Sequence, residues 1–320
     1  MPVTTALHAA GCRDFFVALT HEAFELRPHL PADARLYILN GLPPGAEATC
    51  AAQDIIPVLN SAGHIARWAE QARAEGRALP CALQVDTGMS RLGLSPDELD
   101  AFVANPPPGL DIRLIMSHLA CADEPDNPAN GYQLKAMQRA VGRFPQVPVS
   151  FANSGGIFLN AAYHHDLIRP GIALYGGAPH EGQSNPMTPV VRLDIAVTQT
   201  RTVPAGAHIG YGGTFVAERE MRLATLSAGY ADGLPRSLSN RGAAWFNGVR
   251  LPIVGRVSMD SIIVDISDLP PNTLTPGSFV ELIGPHQSID DLARDAGTIA
   301  YEILTQLGPR YFRHYIPVQS

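Results

Sequence analysis

Five short stretches hold the residue types that could do chemistry. VDTGMSRLGLS (85–95) puts Arg91 just past a segment that reads as a strand. An arginine fork in that position can bind both oxygens of a carboxylate. MSHLACADE (116–124) brings His118 to another strand end. SFANSGG (150–156) and LIRPGIALYGG (167–177) each close an apolar run with small residues, where backbone N–H groups can come close to an anion. HIGYGGTF sets Tyr211 among three glycines. Taken singly, each stretch also has an ordinary account: a surface arginine, a structural histidine, two tight turns, a core or interface tyrosine.

Other chemistries find less support. Cys12, Cys50, Cys81 and Cys121 are far apart, with no CxxC pair, so they read as reduced thiols of a cytoplasmic protein. His164 and His165 adjoin Asp166, but neighbours on a strand face opposite ways, so no metal site is expected. A net charge of -7 without a basic run argues against nucleic acid. No apolar run approaches the ~18 residues of a membrane helix, and the N-terminus lacks the pattern of a signal peptide. The 23 basic residues include one lysine, Lys135, in a helical pattern that reads as solvated.

The elements that must position these residues change character along the chain. Apolar, β-branched strands are expected at 14–19, 35–41, 55–60, 81–87, 112–119, 147–153 and 167–176. Helical patterns such as GHIARWAEQARAEG and GYQLKAMQRAVGRF lie between several of them. That alternation predicts an α/β domain. Seven strands leave a doubly wound sheet open beside an eight-stranded (β/α) barrel. VTTALHAAGC reads as a helix ahead of the strand DFFVAL, so in a barrel the strand not seen is the first. From about Thr188 strands and turns dominate, with a hairpin signal at Asn247-Gly248. HQSIDDLARDAGTIAYEILTQL adds helix near the end. The boundary is expected within GGAPHEGQSNPMTP, dividing the chain into 1–186 and 187–320.

In order, VDTGMSRLGL, SHLACADE, ANSGG, RPGIALYG, IGYGGTF, SAGYADGLPR, GRVSMDS and GTIAYEIL resemble alanine racemase, a family dependent on pyridoxal 5'-phosphate. The resemblance runs essentially from end to end. It implies a (β/α)8 barrel, a C-terminal β domain, a head-to-tail homodimer, and interconversion of L- and D-alanine, supplying D-alanine for peptidoglycan or degrading it.

It also implies roles. Ser154, Gly171, Ile172 and Tyr301 would hold the cofactor phosphate, and Arg169 would face the pyridine nitrogen. An arginine can only donate, so that nitrogen would stay unprotonated and proton return to Cα would be favoured over transamination. Tyr211 would serve as a base reaching the opposite subunit's cofactor, with His118 as its partner. Arg91 would take the substrate carboxylate, Met259 of the other subunit would contact substrate, and Tyr230 and Asp260 would line the entrance. The family's second base is a Schiff-base lysine at the end of the first barrel strand, in a segment like KAxAYGxG. The expectation is that this sequence starts just after it, and Lys135 is no substitute. The alternative is a lysine-less relative that binds pyridoxal phosphate or an amino acid without turnover. Two positions depart from many relatives: Gln84 stands where they carry a carbamylated lysine, and Ser150 where some carry a histidine.

Overall fold

The computed structural model describes residues 2–316 and falls into two compact units that divide between Pro170 and Gly171. In the first, helix and strand alternate: α1 (Pro2–Ala9), β1 (Asp14–Val17), α2 (Thr20–Leu26), β2 (Arg35–Ile38), α3 (Glu47–Ala52), β3 (Ile55–Leu59), α4 (Ala62–Glu75), β4 (Leu79–Gln84), α5 (Pro96–Ala104), β5 (Leu110–Met116), α6 (Pro128–Val141), β6 (Val149–Ser150) and α7 (Ser154–Leu159). The strands form one parallel sheet in the order β1-β2-β3-β4-β5-β6. A doubly wound sheet reverses its strand order at a switch point. A strictly sequential order removes that option and leaves the wall of a barrel.

Side chains alternate across this wall with period two. Leu36, Ile38, Ile55, Leu59, Cys81, Leu83 and Ile115 join the core packed beneath the helices. Tyr37, Ile56, Val58, Ala82, Leu114 and Met116 form a separate cluster on the other face. Continuing the alternation past Val58, Ala82 and Met116 assigns Asn60, Gln84 and His118 to that inner face at the C-terminal strand ends, where (β/α) barrels place their sites. The helices stop where local chemistry directs. Ser61 caps α4 by accepting from His64 N–H, and Gly76 (φ 65°) ends it.

The expected strand at 167–176 is a correction. Only Leu167 pairs, in a bridge to Ser150, and Ile172–Tyr175 is a short 3-10 helix. Pro170 has no N–H to offer a ladder, and Arg169 N–H is already taken by Ala152 O at 2.9 Å. The strand expected over 147–153 is likewise only the two residues of β6.

The second unit comprises β7 (Leu193–Val203), β8 (His208–Ile209), β9 (Phe215–Val216), β10 (Met221–Leu226), β11 (Ala243–Phe246), β12 (Val249–Pro252), β13 (Ile262–Asp265), β14 (Phe279–Ile283), α8 (Ile289–Ala296) and α9 (Ala300–Gln306). Six of its strands make a sheet in the order β12-β11-β14-β7-β10-β13, and β8 pairs β9. Every pairing in it is antiparallel. Asn247 (φ 48°) and Gly248 (φ 81°) form the turn between β11 and β12, the left-handed pair such a hairpin requires. Residues 171–186, placed with the barrel on sequence grounds, pack with this unit. Ile172 sits in its core with Ile289 and Leu292, and Ala178 N–H donates to the Asp290 carboxylate.

Candidate active site

Three loops at the C-terminal ends of β4, β5 and β6 carry the first unit's candidate residues. The loop after β4 is a closed staple. Val85 bridges Leu94, Asp86 N–H donates to Leu94 O, and Leu94 N–H donates to Gln84 O, both at 2.9 Å. Asp86 Oδ1 accepts the N–H groups of Gly88, Met89 and Ser90 at 2.9, 3.0 and 3.2 Å, an Asx turn. Gly93 (φ 107°) lies where a Cβ would meet Asp86 N and Val85 C at 2.7 Å; no other residue fits there. The side chain of Gln84 donates to Leu92 O at 3.3 Å. Arg91, exposed at the tip, is therefore presented by a backbone that Gln84 helps to fix from below.

His118 follows β5 and is partly buried. Burial first, then the positive charges of Arg169 and Arg91, hold its imidazole down to about 4. It is neutral at neutral pH, with one ring N–H to donate and one lone pair to accept.

Arg169 lies beyond β6. It donates through Nη1 to Ser150 Oγ and through Nη2 to Ser117 O at 2.5 Å and Phe151 O at 3.4 Å. Ser150 Oγ donates in turn to Leu167 O at 2.7 Å. These acceptors are all neutral, and burial pulls the guanidinium down to about 10. Its Nε–H has no acceptor among the described residues. Ser150 Oγ thus accepts from Arg169 and donates to Leu167 O, linking the guanidinium to the backbone.

The glycines of ANSGG serve packing. A Cβ on Gly155 would meet Ala122 O at 2.5 Å, and one on Gly156 would meet Leu119 Cδ1 at 2.6 Å. Asn153 caps α7 through Gly156 N–H, and Ser154, its first residue, is buried. Lys135 is exposed on α6. His164, His165 and Asp166 go separate ways: to Ile157 O, against the Phe151 ring, and to Val149 N–H.

In the second unit, Tyr211 opens a one-turn 3-10 helix flanked and followed by Gly210 (φ 71°), Gly212 (φ 71°) and Gly213 (φ 54°). That backbone needs glycine, and it lifts the tyrosine to 72% exposure. Met259 (52% exposed) sits on a loop closed by Ser258 and Ser261. The loop of Tyr230 lies against it, Tyr230 N–H reaching Ser258 O and Ala231 N–H reaching Met259 O, both at 3.0 Å. Arg310 ties the two together, pairing with buried Asp232 at 3.2 Å and Asp260 at 2.8 Å. Gly171 starts the 3-10 helix in which Ile172 is buried, and Tyr301 is on α9, 46% exposed.

Sequence reasoning did not single out Thr87, Ser117 or Gln133, which cross-link the first unit's loops. One signal was present: the buried face of α6 runs Asn130, Gln133, Met137, Ala140, so two amides occupy core positions of a helix.

The model of the alanine racemase N-terminal domain matches residues 1–179, and that of the alanine racemase C-terminal domain matches 190–315. A catabolic alanine racemase of Agrobacterium fabrum is 63% identical over 98% of this chain and 81% of its own length. One of Rhizobium johnstonii is 58% identical over 98% and 84%. Among solved structures, the alanine racemase of Bartonella henselae with covalently bound pyridoxal phosphate superposes with a TM-score of 0.92, at 47% identity over 97% of this chain and 87% of that one. The biosynthetic enzyme of Pseudomonas aeruginosa gives 0.88, at 36% identity over 99% and 88%.

Proposed function

This chain belongs to the alanine racemase family, and on that premise we propose that it interconverts L- and D-alanine with pyridoxal phosphate as cofactor. The observation that carries the reading is geometric: Arg169 reaches Ser117 O, next to His118, and Gln133 ties the Arg91 loop at Thr87 to His118 O, so two guanidinium groups gather beside one partly buried imidazole. Such a cationic setting is made for an anionic ligand.

The first unit's residues fit the cofactor. The free Nε–H of Arg169 suits a pyridine nitrogen, which accepts. A donor with no acceptor capacity leaves that nitrogen unprotonated. By the family's motifs, Ser154 of the first unit and Gly171, Ile172 and Tyr301 of the second are assigned to the phosphate. When bound, pyridoxal phosphate withdraws electrons from the amino acid and makes its Cα proton removable. Arg91 grips the substrate carboxylate and sets which face of Cα is presented. Tyr211 removes or returns the proton on one face. By the family's motifs, neutral His118 is assigned as hydrogen-bond partner to the phenolic oxygen of a second subunit, while the guanidinium charges supply the positive field that an anionic oxygen needs. Racemisation also needs a base on the opposite face. Lys135, solvated on α6, takes no part.

Tyr211, Tyr230 and Met259 are all exposed in the single chain, which supports a head-to-tail homodimer in which they complete the partner's site. Four free cysteines support a cytoplasmic location. The reaction is symmetric, so one site serves supply of D-alanine or its consumption; relatives named catabolic favour the second.

The test is to mix purified protein with pyridoxal phosphate and either enantiomer, and follow the other by chiral chromatography. Interconversion is expected. Cofactor-dependent alanine binding without turnover would overturn the racemase reading in favour of a non-catalytic relative.

A further inference from the structure

α6 packs on the outer face of the barrel wall, yet one of its side chains touches two of the candidate site's loops. Gln133 is 2% exposed. Its Nε2 donates to Thr87 Oγ1 at 3.1 Å and to His118 O at 3.0 Å, and its Oε1 accepts from Ala120 N–H at 2.9 Å. Thr87 Oγ1 lies 2.8 Å from Ser117 Oγ, and Ser117 O is the carbonyl that Arg169 Nη2 reaches. One amide therefore joins the β4 loop carrying Arg91, the β5 loop carrying His118, and through Ser117 the guanidinium of Arg169. Gly88 (φ 128°) of the β4 loop faces the same side chain, its Cβ position lying 3.6 Å from Gln133 Cγ, at ordinary contact distance.

We propose that Gln133 is a positioning residue for the reaction, setting the Arg91 and His118 loops in one register from outside the barrel. This rests on the racemase reading for its consequence in catalysis, but its geometry stands without it. The chemistry required is narrow. Two N–H donors and an acceptor must sit on one planar group. A glutamate at this place keeps only acceptors, so His118 O loses its donor. A methionine fills the space and makes no hydrogen bond of this kind. An asparagine has the right groups on a stem one methylene too short. Buried partners left unpaired are costly, so the loops would move to find water.

The experiment compares Gln133→Met and Gln133→Glu with Met137→Ala. Met137 is one turn further along the same buried face, so its loss weakens the helix packing and leaves the amide in place. NMR follows the His118 ring from pH 8 to pH 5 and the exchange rate of the Ala120 N–H. Chiral chromatography gives kcat/KM for alanine. In the wild type and Met137→Ala, His118 stays neutral across that range. In both Gln133 variants it takes up a proton above pH 5, Ala120 exchange quickens at least tenfold, and kcat/KM falls by on the order of 10²-fold, the effect of about 1 Å of misplacement. Gln133→Asn substitutes in the same assays for any variant that does not fold. The proposal is overturned if Gln133 and Met137 variants of equal thermal stability titrate, exchange and turn over alike. A wild type that does not racemise alanine refutes the racemase reading alone, because the His118 titration and the Ala120 exchange still decide the role of Gln133.

Discussion

The two units present their candidate residues in opposite ways. In the first, Arg91, His118 and Arg169 are tied through Gln84, Ser117, Ser150 and Gln133 to backbone groups of neighbouring strands. In the second, Tyr211 and Met259 stand out on short turns made by glycine and serine, 72% and 52% exposed. The contrast follows from chemistry. A guanidinium and an imidazole taken out of water need every partner the fold can supply. A tyrosine and a methionine can wait at a surface for a partner surface to cover them. The first unit fixes its candidate residues by hydrogen bonds, and the second leaves its own exposed.

The largest effect is expected where those hydrogen bonds are most concentrated. Arg169→Leu removes the donor assigned to the pyridine nitrogen, and the dissociation constant for pyridoxal phosphate should rise on the order of a hundredfold or more, about 3 kcal/mol. Absorbance titration measures it. An unchanged constant would mean that the first unit's charge layout does not serve the cofactor.

Acid should also affect the first unit specifically. His118 has a folded pKa of about 4, below its unfolded value near 6.5. The unfolded chain therefore binds more protons between those two values, and stability is lost as pH falls through that window. The share from His118 is about 2 kcal/mol by pH 5 and about 3 kcal/mol below pH 4. Urea unfolding at pH 7 and pH 5 should show this slope, and His118→Gln should flatten it. An equal slope in both proteins would refute a buried neutral imidazole.

A smaller pair of effects separates the units directly. Gly93→Ala puts a Cβ 2.7 Å from main-chain atoms at φ 107° and should cost about 2 kcal/mol or more of stability. Gly213→Ala meets the movable His208 ring at φ 54°, a conformation alanine adopts for about 1 kcal/mol. Calorimetry that ranks them the other way would show the exposed turn to be the more constrained.

Much of this was readable in the sequence where the signal is local. The period-two strands, the Ser61 and Gly76 helix ends and the Asn247-Gly248 turn each depend on a few adjacent residues. The eight motifs placed the candidate residues at loops and strand ends. What was not readable depends on distance or competition. Gln133 acts on residues 46 and 15 positions away; the amides on the buried face of α6 mark it as unusual but do not name those partners. The segment at 167–176 is apolar enough for a strand, yet Pro170 removes a donor and Ile172 is claimed by the second core. At Gly155 and Gly156 the lack of a side chain also admits Ala122 and Leu119, a packing reason that only the fold reveals.

The most direct test of the central claim is racemisation by Tyr211→Phe, measured from both enantiomers in 2H2O beside the wild type. The account predicts that kcat falls by on the order of 10²–10⁴ and that pyridoxal phosphate affinity changes little. A variant that interconverts D- and L-alanine as fast as the wild type would contradict it.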